Sequence, residues 1–193
     1  MSAADTAIKI CSRASVLIGG NLIASFTDGT VEADVANSMY EDTARTALTN
    51  SRWRFATTQA VLNRLAEEPV GRFSAAYQLP ADCLMLGAVT IADATIEYDT
   101  YGDKVYCDAS ANDELVADYI YRAPEGDWPP YFISAVEYEM AALMAISVAR
   151  DASLANMFQQ KAAHEMFRAR RLESQQQTTK KLDTTRFIQQ RRS

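Results

Sequence analysis

Phe73-Ser74-Ala75-Ala76-Tyr77-Gln78-Leu79-Pro80 decides the fold class. Phe73, Ala75, Tyr77 and Leu79 alternate with Ser74, Ala76 and Gln78, the period of a half-buried strand. Pro80 ends the run, because proline cannot donate to a ladder in mid-strand. Trp53 and Phe55 alternate with Arg52 and Arg54 in the same way, and residues 85–91, 95–98, 104–107 and 115–121 read as further strands. Tyr101-Gly102-Asp103 reads as the turn of a hairpin between the strands at 95–98 and 104–107. The middle of the chain is therefore expected to form a small, mostly antiparallel sheet.

On both sides of this segment the period changes to that of a helix. Ile8, Cys11, Ala14 or Ser15, and Ile18 share a face from Asp5 to Ile18, and Gly19-Gly20 stops the helix. Thr30 is an N-cap candidate, with Glu32 and Asp34 in a first turn whose dipole favours anions. Ala36, Met39, Tyr40, Thr43, Ala44 and Ala47 then give a narrow face of mostly small residues. After the sheet segment, Pro129-Pro130 suits a helix start, and Phe132, Val136, Met140, Leu143 and Ser147 fall on one face with Glu137 and Glu139 away from it. Asp151 or Ser153 caps a last helix in which Leu154, Phe158, Ala162, Ala169 and Leu172 share a side. The expected fold is α+β: two N-terminal and two C-terminal helices form a bundle (1–50 and 129–173). A small antiparallel sheet is inserted at 51–128, and an extended C-terminal tail follows at 174–193.

The chain has 193 residues with 48% apolar and 23% charged side chains, an ordinary globular composition that excludes a wholly disordered or collagen-like chain. Its richest apolar stretch, 140–149, is about half of what a membrane span needs, so no membrane association is expected. The first residues lack the basic patch and long apolar run of a signal peptide. Cys11, Cys83 and Cys107, odd in number and widely spaced, read as reduced intracellular thiols. Net charge is −6 and unevenly spread. Residues 168–193 hold eight basic side chains against Glu173 and Asp183, a net +6, which leaves −12 on the rest. An acidic body repels a polyanion, while a basic tail seeks a negative surface.

No catalytic or cofactor motif stands out. His164-Glu165-Met166-Phe167-Arg168 begins like a zinc-protease signature, but Arg168 stands where the second ligand belongs. There is no C-x-x-C clasp, no Gly-x-Ser-x-Gly elbow and no phosphate-binding loop around Gly19-Gly20. The sequence singles out no carboxylate pair for acid–base work. Trp53, flanked by two arginines, could stack on a base, but the commoner role is an anchor between helices and sheet. Phe55, Tyr77, Leu79 and Trp128 are expected to be buried with it at that junction. In the tail, Lys180, Lys181, Arg186, Arg191 and Arg192 alternate with the apolar Leu182, Phe187 and Ile188. The tail is either a frayed terminus or a segment that orders on a partner.

The order of motifs resembles one known family. Ser51-Arg52-Trp53-Arg54-Phe55-Ala56 is followed by Ala75-Ala76-Tyr77-Gln78-Leu79-Pro80-Ala81-Asp82-Cys83-Leu84, then by Tyr98 and Tyr101. Asp118-Tyr119-Ile120-Tyr121, Trp128-Pro129-Pro130-Tyr131-Phe132 and a long alanine-rich helical pair complete the series. Over roughly residues 5–172 it is similar to the tail tubular protein A family of short-tailed bacteriophages, the head-to-tail adaptors or head-completion proteins. The resemblance implies a non-enzymatic virion protein at the head–tail interface, assembled in the host cytoplasm, with no cofactor. Multiple copies, usually twelve, would form a homo-oligomeric ring between the portal protein and the next, nozzle-type tail protein. Packaged DNA would pass through the channel without specific binding. It also implies that helices build the ring, the sheet faces the tail, and the C-terminal tail reaches the portal; the basic and apolar pattern of that tail makes Lys180, Lys181, Leu182, Arg186, Phe187, Ile188, Arg191 and Arg192 the expected portal contacts. Two other classes remain as alternatives, a nucleic-acid-binding module acting through the basic tail, and a tail-associated cell-wall hydrolase.

Overall fold

The computed structural model describes residues 6–67 and 69–175. Its order is α1 (Ala7–Leu17), α2 (Val31–Thr49), eight strands, α3 (Pro130–Ser147) and α4 (Ala152–Gln175). The chain is α+β, with the strands inserted between two helical pairs.

Local chemistry explains the helix ends. The Thr6 and Thr30 hydroxyls accept from the N–H groups of Lys9 and Ala33, satisfying first-turn donors of α1 and α2. Gly19, at φ +79°, ends α1 in the left-handed region that glycine adopts without penalty. Pro130 occupies the first turn of α3, where its missing N–H would have had no helical partner. The Asp151 carboxylate accepts from the N–H groups of Ser153 and Leu154 at the start of α4.

The insert differs from the single sheet expected. It holds two four-stranded antiparallel sheets, in the orders β1-β8-β4-β5 and β2-β3-β7-β6. The first joins β1 (Thr57–Val61), β8 (Leu115–Tyr121), β4 (Cys83–Ile91) and β5 (Ala94–Thr95); the second joins β2 (Asn63–Arg64), β3 (Ala75–Gln78), β7 (Lys104–Cys107) and β6 (Tyr98–Tyr101). The expected strand at 95–98 is broken into two pieces that belong to different sheets. Ile96 still bonds back to Val89 in the first sheet, whereas Tyr98 pairs with Cys107 in the second. Trp53 and Phe55 do not lie on a strand either. Arg54–Ala56 is a 3-10 turn, and the strand starts only at Thr57. The β6–β7 turn needs only Gly102 and Asp103, with Gly102 at φ +63°.

Two hydrophobic cores result. The helical core contains Ile10, Leu48, Trp53, Phe132, Met140 and Met144, together with Ile120 from β8. The sheet core contains Leu62, Tyr77, Val89, Val105, Leu115 and Tyr119. Strand alternation makes β8 the hinge between them. Leu115, Ala117 and Tyr119 serve the sheet core, while Ile120, on the opposite face, enters the helical one. Among the helices, α3 is central and packs on α4, α1 and α2. Glu137 and Glu139, off the face of Phe132, Val136 and Met140, are still half-buried, because α3 is covered on several sides.

Candidate interaction surfaces

The expected anchors fall into two groups. Trp53 is fully buried, its indole N–H donates to Ala47 O at 2.9 Å, and its ring meets Phe132 edge-on at 5.0 Å. Trp128 is also buried, donates to Ala123 O at 2.9 Å, and meets the same Phe132 ring at 4.9 Å. Phe55 is half-buried and completes this aromatic cluster against Phe132 at 5.0 Å. Tyr77 and the half-buried Leu79 are elsewhere, in and against the sheet core rather than at the junction. The reason is register. Tyr77 pairs with Val105 on β7, one sheet away from β8 and the helices.

A polar network closes the junction from outside. Arg122 donates to Glu41 at 3.0 Å and to Glu125 at 2.6 Å, and its guanidinium lies over the Trp128 ring at 5.4 Å. Tyr40 donates to Glu125 at 3.0 Å. Burial alone would push Glu125 and Glu41 up. The hydrogen bonds and charge of Arg122, aided by Tyr40 at Glu125 and Arg45 at Glu41, outweigh it and hold both carboxyls below the ordinary range. They are ionised acceptors, not proton donors. Across the molecule, Arg13 of α1 pairs with Glu137 of α3 at 2.5 Å.

A partly apolar groove of about 550 Å³ lies between α3 and α4. Ala142, Leu143, Ala155, Ala162 and Met166 form its floor and walls. Ile146 and Phe167, 62% and 58% exposed, stand at it, and Asn50 and Arg170, which hydrogen-bond each other, close one end. Glu139 is the single carboxylate lining it, and burial pushes its carboxyl up. A second concavity of about 470 Å³ lies in the second sheet, beside Phe73, Tyr101 and Tyr106.

His164 is exposed, and no group of side chains suited to a metal occurs among the described residues. Cys11, Cys83 and Cys107 are free thiols, and burial pushes Cys11 up to about 12, which keeps it unreactive. No described helix is long and apolar enough to cross a membrane. Of the C-terminal segment, Ser174 and Gln175 continue α4 instead of starting a tail. Lys180, Lys181, Leu182, Arg186, Phe187, Ile188, Arg191 and Arg192 lie outside the described residues. The groove escaped the sequence reading because its apolar lining was assigned to the core. The signal was present in Ile146 and Phe167, which sit off the buried faces of their helices.

No protein-family model matches the chain, and no curated protein matches it.

Proposed function

We propose that this chain is a structural head-to-tail adaptor of a phage virion. It forms a ring beneath the portal protein, extends the DNA channel and carries the next, nozzle-type tail protein. The observation that carries the reading is the architecture: a helical body and a two-sheet module share β8 and are clamped at one aromatic junction. Such a molecule can offer one end to a ring and the other to a partner. The motif order resembling the adaptor family supports the same reading, as does the body charge of −12, which leaves a channel that does not grip phosphates. The exposed α3–α4 groove supplies apolar surface of the kind that self-assembly buries.

The alternatives have less behind them. Base stacking on Trp53 requires an exposed ring, and Trp53 is fully buried. Two-carboxylate hydrolysis needs a paired acid, and the α3–α4 groove has Glu139 alone; Glu97, Asp99 and Asp108 line an open concavity on the second sheet, where Asp99 is paired with Arg72 and Asp108 accepts from the Ser74 N–H. Electron microscopy of the purified protein, alone and mixed with portal-bearing heads, tests the proposal. Rings seated on the portal vertex are expected. Heads that stay bare at saturating protein would overturn it.

A further inference from the structure

Strand β1 stands at the end of its sheet, and its outer edge is open among the described residues. The Leu62 N–H donates to Leu115 O at 2.8 Å, so alternation turns Thr58 and Ala60 toward β8 and Thr57, Gln59 and Val61 outward. The Thr57 N–H is taken up by Arg54 O, but among the described residues nothing accepts from the N–H groups of Gln59 and Val61. Folded proteins blunt such edges with short strands, charges or irregular register. The other strands here do so. β2 and β5 are two residues long, β4 shifts register twice, and β6 carries Asp99 paired with Arg72. β1 has none of these devices: Thr57-Thr58-Gln59-Ala60-Val61 is uncharged, lacks proline and keeps one register throughout.

The chain itself holds a matching segment. Helix α4 ends at Gln175 near the root of β1, since Glu173 accepts from the Arg54 N–H three residues before β1 begins. Residues 176–193 lie outside the described residues. Within them, Thr184-Thr185-Arg186-Phe187-Ile188 contains Thr, Phe and Ile, the β-branched and aromatic types that strands favour, and no glycine or proline. Laid along β1 in the direction that leads away from α4, it matches position by position. Ile188 would flank Val61, which is 55% exposed. Phe187, on the opposite face, would cover Ala60 at the rim of the sheet core. Arg186 would share a face with Gln59 and with Asp118, whose carboxylate accepts from Gln59 Nε2 at 2.6 Å. The intervening residues 176–183 span up to about 26 Å at about 3.3 Å each, enough to reach the edge.

We infer that residues 184–188 add to the β1 edge of their own chain, as a fifth strand of the first sheet. Main-chain pairing supplies the affinity, and the Phe187–Ile188 step, one apolar side chain for each face, sets the register. The short tether holds the segment near the edge at an effective concentration on the order of millimolar. The inference goes beyond the adaptor reading, because it concerns the chain before any partner is met.

Amide hydrogen exchange read by NMR tests it on full-length protein. Arg186→Pro/Phe187→Pro removes one donor from each side of the segment and so disables whichever side faces β1. The Gln59 and Val61 amides should exchange at least tenfold more slowly in the parent than in this variant. Thr58 and Ala60, bonded to β8, should exchange alike in both, which shows that the body is intact. Arg191→Pro/Arg192→Pro, beyond the segment, should keep the parent's protection. Equal exchange of Gln59 and Val61 in the parent and in Arg186→Pro/Phe187→Pro would overturn the inference. Protection that rises with protein concentration would place the segment on a second copy and overturn its intramolecular form.

Discussion

The Glu173 carboxylate of α4 accepts a 2.6 Å hydrogen bond from the backbone N–H of Arg54, 119 residues earlier in the chain. Tyr131 at the start of α3 donates to its other oxygen. One buried acid therefore ties the last helix to the 3-10 turn that leads into β1 and to the helix that leaves the sheets.

Removing it should be expensive for stability. Glu173→Ala removes this acceptor from the part-buried Arg54 N–H and Tyr131 hydroxyl and should cost about 1–3 kcal/mol. Glu173→Gln keeps one carbonyl oxygen for Arg54 and should lose less. Urea denaturation of the two variants checks the order, and equal stability of Glu173→Ala and parent would show that this tie contributes nothing.

Trp53→Ala should destabilise by about 3–5 kcal/mol, since the ring is fully buried against Phe132 and its N–H is satisfied by Ala47. A loss below about 1 kcal/mol in a reversible melt would mean that the ring is not packed in solution.

The two kinds of glutamate give opposite pH signatures. Glu41 and Glu125 are held below their ordinary value of 4.5, so the stability they contribute is present above that value and is lost as pH falls through the lower, folded one. Arg122→Met removes the cause. Its deficit against the parent should be largest near pH 7, at about 1–3 kcal/mol, and should shrink below about pH 4. Glu139 is raised by burial, so its ionisation opposes folding, and the penalty grows as pH rises above 4.5. Glu139→Gln should gain stability relative to the parent as pH increases. Denaturant midpoints across the acid range separate the two signs.

Much of the helical body was legible because amphipathic periods and caps are local. Thr30, Asp151 and Pro130 mark their helix starts, as their side-chain chemistry dictates. The sheets were legible as strands at 104–107 and 115–121, but not as two layers, because pairing is non-local. β1, Thr-Thr-Gln-Ala-Val, is half-buried along much of its length and shows little alternation. Trp53 and Phe55 mimic a strand pattern while serving the helical core from a 3-10 turn. The α3–α4 groove depends on how two helices cross, which one helix's periodicity does not encode.

The fold moves the point at which the C-terminal segment must be cut from the body. Composition suggested an end to the body at Glu173, but α4 continues through Gln175, and Glu173 is itself a buried tie. A chain ending at Gln175 should keep the body's stability while losing residues 176–193. That segment carries Lys180, Lys181, Arg186, Arg191 and Arg192 against Asp183, with Leu182, Phe187 and Ile188 as apolar anchors. Ordering a residue costs about 1–2 kcal/mol of backbone entropy, and three buried apolar side chains return only about 1.5–3 kcal/mol each. If the chain acts as the proposed adaptor, docking would require backbone pairing on the portal or ordering of only part of the segment, and repetition around a ring would multiply a weak single contact through avidity. The truncated chain should bind portal-bearing heads far more weakly than the full chain at equal thermal stability. Phe187→Ala/Ile188→Ala should fall between them. Undiminished binding of the truncated chain would show that the segment plays no part in docking, and the body alone would then have to recognise the portal.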